Sequence, residues 1–290
     1  MLVVGCGDVG LRAAALLRGR ARVIATSSSP ARVPLLRQAG IVPLMADLDQ
    51  PASLRRLAGI ADRVLHLAPP PRLEEGPDWW RDARTLSLVR ALRRRSLPAA
   101  LVYGSTSGVY GDCAGERVRE SRPLAPHTPR AHRRVDAERA ARSLARAGVA
   151  VRILRIPGIY AADRAGGTPR ERLMRGTPAL RPEDDVFTNH IHADDLARAC
   201  VAALFRGGAP RVFHVSDDSE LRMGDYLDLA ADLYGLPRPR RIARMEAEAQ
   251  LPLSLLSFMG ESRRLDNTRM KRELRVRLAH PTVESGLRGP

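Results

Sequence analysis

Met1-Leu-Val-Val-Gly5-Cys-Gly7-Asp-Val-Gly10 decides the fold. A short apolar run leads directly into glycines spaced G-x-G-x-x-G, and a helical pattern over Leu11–Gly19 follows. Strand, tight turn and helix in that order are the context this glycine spacing requires. It predicts a dinucleotide diphosphate resting on a helix N-terminus. Gly5 lets the chain turn sharply, Gly7 admits the phosphates, and Gly10 lets the helix pack close to the strand.

Outward from that loop, strand and helix patterns alternate. Strands are expected at Leu2–Val4, Arg22–Ala25, Ile41–Leu44, Arg63–Leu67, Ala99–Tyr103 and Val149–Ile156. Helices are expected at Ala31–Ala39, Pro51–Leu57, Trp79–Arg95 and Arg130–Ala147. The rhythm predicts an α/β Rossmann fold, a doubly wound parallel sheet with right-handed crossovers. Beyond Pro157 the chain is richer in Gly and Pro. Helical patterns there cover Arg170–Arg175, Asp194–Phe205 with Asp194 as N-cap, Met223–Leu233 and Met245–Phe258, and Arg211–Val215 reads as a strand. The expected division is a nucleotide-binding domain over residues 1–157. A smaller C-terminal substrate lobe over 158–290 would lie above the strand ends, with elements returning to the main sheet.

The 290 residues carry a formal net charge of +16, almost all from arginine, since Lys271 is the single lysine. That charge raises the question of nucleic acid. The arginines are spread over nearly every helix, and aromatic residues are only 4% of the chain, so base-stacking platforms are lacking. No specific nucleic-acid partner is expected. Cys6, Cys113 and Cys200 form neither a disulfide framework nor a metal spacing. The strand pattern starts at Met1 and no apolar run reaches membrane-spanning length. The expectation is a cytoplasmic protein with neither leader nor membrane span.

The second strand pattern runs into Thr26-Ser27-Ser28-Ser29-Pro30-Ala31-Arg32 without the carboxylate that an NAD site places on the ribose 2′-hydroxyl. Hydroxyls and Arg32 suit a 2′-phosphate, so NADP is expected as cofactor, with NAD as the alternative. The same serines also suit a turn and helix cap. Asp47 either faces the adenine end or caps the next turn. His66-Leu67-Ala68 follows the fourth strand; small Ala68 permits close approach of a cofactor, and His66 reads as a satisfied core residue. Tyr103-Gly-Ser105-Thr106-Ser107-Gly-Val-Tyr110-Gly111 crowds hydroxyls at the end of a central strand. Ser105 or Thr106 can donate a hydrogen bond to a substrate oxygen there.

These stretches resemble an extended short-chain dehydrogenase/reductase of the NAD-dependent epimerase/dehydratase type. So do Leu154-Arg-Ile-Pro157-Gly-Ile-Tyr160, Phe187-Thr-Asn-His-Ile-His-Ala-Asp-Asp-Leu-Ala197, and Arg264-Leu-Asp-Asn267 with Leu274 and Pro281. The resemblance covers nearly the full length. It implies cofactor contacts along Gly5, Cys6, Gly7, Asp8, Val9, Gly10, Ser27, Arg32, Asp47, Leu67, Ala68, Ser105, Arg134 and Pro157, and it places Thr106 at the catalytic Ser/Thr position. It also implies a Tyr-x-x-x-Lys pair on the following helix, where this chain reads Arg130-Ala-His-Arg-Arg134-Val-Asp-Ala-Glu138. Arg130 stands where the tyrosine belongs and Arg134 where the lysine belongs. Arg134 can still hold ribose or phosphate. Arg130 cannot replace a phenol as proton donor, because a guanidinium stays protonated. His127, His132 or Tyr110 are the candidate substitutes. The chain therefore resembles atypical members of that family.

In a strand His190 and His192 face the same side, but no third clustered ligand is evident beside Asp194 and Asp195, and no metal is expected. One of the histidines contacts substrate or both are structural. The resemblance implies hydride transfer between nicotinamide and a carbonyl or alcohol carbon. Arg130 and Arg170 suggest an anionic small-molecule substrate such as a nucleotide sugar. The competing reading is a non-catalytic NAD(P)-binding regulator or scaffold. The helical patterns Trp79–Arg95 and Arg130–Ala147 suit a two-fold homodimer interface, although both carry arginines.

Overall fold

In the computed structural model, which describes residues 1–71 and 76–288, seven parallel strands form the central sheet. They are β1 (Leu2–Val4), β2 (Ile24–Ser27), β3 (Val42–Met45), β4 (Arg63–His66), β5 (Ala100–Thr106), β6 (Ala150–Ile156) and β7 (Arg211–His214). Their order is β3-β2-β1-β4-β5-β6-β7, and every neighbouring pair is parallel. The order reverses at β1, which pairs with β2 on one side and β4 on the other, and ligand crevices form where such a reversal leaves the strand ends uncovered.

A parallel sheet is covered on both faces, so its strands are apolar on both sides. Side chains alternate across β1: Val3 joins one core, and Leu2 and Val4 join the other. Val3 meets the helices α1 (Asp8–Leu16) and α6 (Ala193–Phe205) through Ala13, Ala14, Ala197, Ala199, Cys200 and Ala203. These small side chains let the helices lie close to the sheet. The opposite face is covered by α3 (Ala83–Leu92) and α4 (Pro129–Arg142), through Leu88, Val89, Leu92, Ala137 and Ala141.

Helix ends differ from the sequence pattern for local reasons. The pattern over Trp79–Arg95 shortens because the buried Asp82 carboxylate accepts the Thr85 N–H at 3.0 Å and caps α3 there. Thr128 caps α4 by accepting the Ala131 N–H at 3.2 Å, with Pro129 in the first turn. The Ala31–Ala39 pattern splits into a 3-10 turn, Pro30–Arg32, and a short helix α2 (Val33–Gln38). Pro51–Leu57 is a 3-10 helix, and the pattern over Met245–Phe258 breaks at Pro252 into Arg244–Gln250 and Leu253–Met259. Asp194 is not the cap of α6. His192 is, its Nδ1 accepting the Asp194 N–H at 3.3 Å.

After β6 the described residues form two-stranded pairs besides β7. Phe187–Thr188 lies antiparallel to Leu221–Arg222, and Gly158–Tyr160 lies parallel to His190–His192. With α5 (Arg170–Met174) and α7 (Met223–Tyr234), these pairs stand over the carboxyl side of the sheet. Among the described residues no helix is long and apolar enough to cross a membrane.

Candidate active site

The glycine loop joins β1 to α1, and its three glycines do different work. Gly5 has φ +85°, and a β-carbon there would lie 2.3 Å from the Ala68 nitrogen, so the chain can cross the end of β4 only without a side chain. A β-carbon on Gly10 would press at 3.3 Å on the Gly5 carbonyl oxygen. A β-carbon on Gly7 would meet nothing within 4 Å. Gly7 faces open groove at the start of α1, and among the described residues no side chain caps that helix end. Its first amides are therefore available to an anion. The nearby Asp8 carboxylate is balanced by Arg12 at 3.0 Å and Arg164 at 3.2 Å. This loop fits a dinucleotide diphosphate.

From the loop a groove of about 230 Å³ runs past Asp8, Val9, Leu67 and Ser105 to Thr106, Arg130, Arg134 and Pro157. It opens into a cavity of about 370 Å³, and Thr106, Arg130, Pro157, Ile159 and Arg164 belong to both walls. The far side of the cavity is made by Phe187, Asn189, Met223, Glu261 and Arg263. Cys6 and Ala68 are buried behind the loop and do not line the groove. Burial pushes the Cys6 thiol up to about 11.

The two hydroxyls at the end of β5 are in different states. Ser105 Oγ donates to Glu138 Oε1 at 2.7 Å, so its proton is committed. Thr106 Oγ1 accepts the Gly108 N–H at 3.3 Å, which leaves its O–H free to donate toward the cavity. Arg134 is buried and donates to the Gly104 carbonyl at 2.8 Å and the Tyr103 hydroxyl at 3.0 Å. It lines the groove with a guanidinium already oriented by the strand below it. Arg130 stands exposed at the start of α4, in both walls. His66 is buried with Nε2 2.9 Å from the Thr85 hydroxyl, which donates to Asp82 at 2.8 Å. Burial, reinforced by Arg134, pushes His66 down to about 3, so it is a neutral core histidine.

Several expected residues stand elsewhere. Tyr110 is buried away from the cavity, 2.6 Å from His214 Nε2 and 2.5 Å from Arg155 Nη1. Burial raises its phenol to about 12, and it cannot serve as donor to a substrate it does not reach. His127 packs against Gly111, and His132 lies edge-on to Trp79. Neither lines the cavity. Arg170 lies over the Tyr234 ring instead. Ser27 bonds to Ser29, and Asp47 caps the next turn through the Asp49 N–H at 3.0 Å. Arg32 donates to the Cys6 carbonyl at 2.7 Å, bracing the glycine loop from outside the groove wall.

Folding also gathers donors that the sequence keeps apart. His280 joins His192 and Asp194, with one possible ligand atom on each lying within 4.8 Å of the others. Asp194 Oδ1 already holds Arg12 at 2.6 Å and His192 Nδ1 caps α6, so these atoms have structural employment. Arg164, Glu261 and Arg263 were absent from the sequence-based site because no local motif surrounds them. Arg263 directly precedes the Arg264–Asn267 stretch, which is the one signal that pointed to its neighbourhood.

The NAD dependent epimerase/dehydratase family model matches residues 1–216. Among solved structures, a functionally unknown conserved protein from Silicibacter pomeroyi is similar at TM-score 0.77 and 28% identity, over 99% of this chain and 95% of that one. UDP-glucose 4-epimerase from Thermotoga maritima, solved with UDP-glucose, is similar at TM-score 0.79 and 18% identity, over 99% and 96%. UDP-glucuronic acid 4-epimerase from Bacillus cereus, solved with UDP-glucuronic acid and NAD, gives 0.76 and 19%, over 99% and 96%. At those identities the two epimerases share the fold with this chain. No curated protein matches the sequence. With a match over residues 1–216 and the fold agreeing along the full length, the chain belongs to the NAD dependent epimerase/dehydratase family.

Proposed function

We propose that this chain is an NAD(P)-dependent oxidoreductase or epimerase-like enzyme acting on an anionic carbonyl or alcohol substrate, with a nucleotide sugar as the favoured class. The observation that carries this reading is the continuity of the two spaces. A groove starting at uncapped helix amides ends at Thr106, where it meets a cavity bearing Arg130, Arg164 and Arg263. A nicotinamide dinucleotide bound in the groove supplies or accepts the hydride. The glycine loop holds its diphosphate and Arg134 stands beside its ribose. Thr106 donates a hydrogen bond to the reacting oxygen, and the three guanidiniums hold the substrate's negative charge. The UDP-sugars named with the two epimerases support the substrate class by analogy of fold.

NADP is the proposed cofactor, because β2 ends in serines without a carboxylate and Arg32 stands nearby. A non-catalytic cofactor-binding role is the second reading. It is favoured by the absence of His, Tyr, Lys and Cys from the described cavity walls. The deciding experiment titrates NADP⁺ and NAD⁺ calorimetrically and then follows reduced nicotinamide with UDP-glucose and UDP-glucuronic acid. Binding followed by turnover supports the enzyme. Binding without turnover supports the regulator, and no binding of either dinucleotide overturns both readings.

A further inference from the structure

Among the described residues four charged side chains line the cavity: Arg130, Arg164, Arg263 and Glu261. Guanidiniums bind anions well but do not exchange protons at ordinary pH, and hydroxyls exchange them only with help from a stronger base. The carboxylate of Glu261 is therefore the one group in the described walls suited to proton exchange. We propose that Glu261 is a catalytic residue that takes up and returns the proton of the reacting substrate oxygen. This assignment rests on the hydride-transfer reading above.

The geometry supports that role in three ways. Glu261 Oε2 and Thr106 Oγ1 lie 3.9 Å and 3.7 Å from the point a β-carbon of Gly108 would occupy, so both oxygens border one small space beside Gly108. Arg263 Nη1 holds Glu261 Oε2 at 2.8 Å, and the same nitrogen is anchored on the Gly111 carbonyl at 2.5 Å. The carboxylate is thus aimed by a buried, fixed guanidinium. The hydrogen bond from Arg263 engages one oxygen of the carboxylate, and among the described residues no hydrogen bond to its other oxygen is found, so the group keeps capacity to accept a proton.

In the oxidative direction the substrate alcohol binds with its oxygen between Thr106 and Glu261. An oxidised nicotinamide held in the groove would accept the carbon's hydrogen together with two electrons. The O–H bond breaks, its proton passes to the Glu261 carboxylate, and the electron pair left behind forms C=O. Reduction runs the same steps backward, with the protonated Glu261 as donor. Thr106 keeps its own proton and acts by hydrogen bonding.

The test compares the wild-type protein with Glu261→Gln and Glu261→Ala, using NAD⁺ or NADP⁺ with UDP-glucose and UDP-glucuronic acid. Both variants are expected to bind the dinucleotide within about twofold of wild type, since Glu261 does not touch the cofactor groove. Glu261→Gln, which keeps an acceptor for Arg263, should melt close to wild type, whereas Glu261→Ala leaves that buried guanidinium without its carboxylate and should melt lower while staying folded at the assay temperature. Their kcat is expected to fall about a hundredfold or more, with KM changing little. The acid limb of the wild-type pH–rate profile should vanish in Glu261→Gln. Added formate, a small carboxylate, should restore at least about tenfold of the lost rate in Glu261→Ala. A wild-type kcat with an unchanged acid limb in Glu261→Gln overturns the assignment. So does a loss that formate does not restore in a stable, cofactor-binding Glu261→Ala. A wild-type protein that binds the dinucleotide but turns over neither probe places the failure in the parent reading, and the assignment falls with it.

Discussion

Glu138 lies directly beneath the hydroxyl segment: its Oε1 accepts the Ser105 hydroxyl at 2.7 Å while Arg155 holds Oε1 at 3.1 Å and Oε2 at 2.9 Å. Both charged side chains are almost wholly buried, and Arg155 also reaches Tyr110 at 2.5 Å. Glu138 therefore anchors the end of β5, the strand that carries Thr106. Burial raises the Arg155 requirement for a partner: a buried cation without one is costly.

Removing one member of this pair should be expensive. Glu138→Ala is expected to lower the unfolding free energy by about 3–5 kcal/mol, read from urea denaturation. Glu138→Gln keeps the shape and one acceptor and should cost less. A loss under about 1 kcal/mol in Glu138→Ala would show that water or rearrangement relieves Arg155.

Two glycines of the same loop should respond in opposite ways. Gly5→Ala forces a side chain onto the backbone of Ala68 at positive φ, and should cost at least about 2 kcal/mol of stability. Gly7→Val has open space for its side chain and an ordinary φ of −79°, so the fold should melt within a few degrees of wild type. Its side chain would stand where the diphosphate is proposed to lie, and dinucleotide affinity should drop at least about tenfold. Calorimetric binding beside thermal melting separates the two, and a Gly7→Val protein with normal affinity would move the diphosphate elsewhere.

Arg32 braces the Cys6 carbonyl and stands near the serine-rich end of β2. Arg32→Ala should weaken both dinucleotides through the loosened loop. If the guanidinium also meets a 2′-phosphate, NADP⁺ should lose about tenfold more than NAD⁺. Equal losses would confine Arg32 to bracing.

Burial raises the Asp217 carboxyl to about 8, well above its ordinary value near 3.8. Between those limits the folded protein holds a proton that the unfolded chain releases. Stability should consequently decline as pH rises from about 4 to about 8, against the usual carboxylate trend. Asp217→Asn cannot ionise and should become more stable relative to wild type across that interval. Denaturation at pH 5 and pH 8 checks it, and a constant difference between the two proteins would mean Asp217 is charged in the fold.

The sheet was legible because its signals are local. Leu2–Val4 is apolar throughout, the glycine spacing follows at once, and each later strand repeats the apolar run, so parallel pairing needs nothing distant to announce it. The short second helix and the break at Pro252 were less legible, since the pattern of apolar residues continues through both while backbone hydrogen bonding does not. The positions of Thr106 at the end of β5 and of the glycine turn between β1 and α1 were readable from strand ends and spacing. Tyr110 was misplaced because residues four apart after a strand end leave the groove once the chain enters a 3-10 turn, Ser107–Tyr110, which points it into the Arg155 cluster.

By itself the sequence determined the sheet, the glycine-loop turn and the family, because each depends on neighbours within a few residues or on a spacing repeated along the chain. Tertiary structure alone decided the rest of the site. Asp8 meets Arg164 and Thr106 faces Glu261 across gaps of about 150 residues, and His280 arrives beside His192 from the far end of the chain. Such meetings follow from how the lobe packs on the sheet, and electrostatic pairing through space leaves no periodic mark in a sequence.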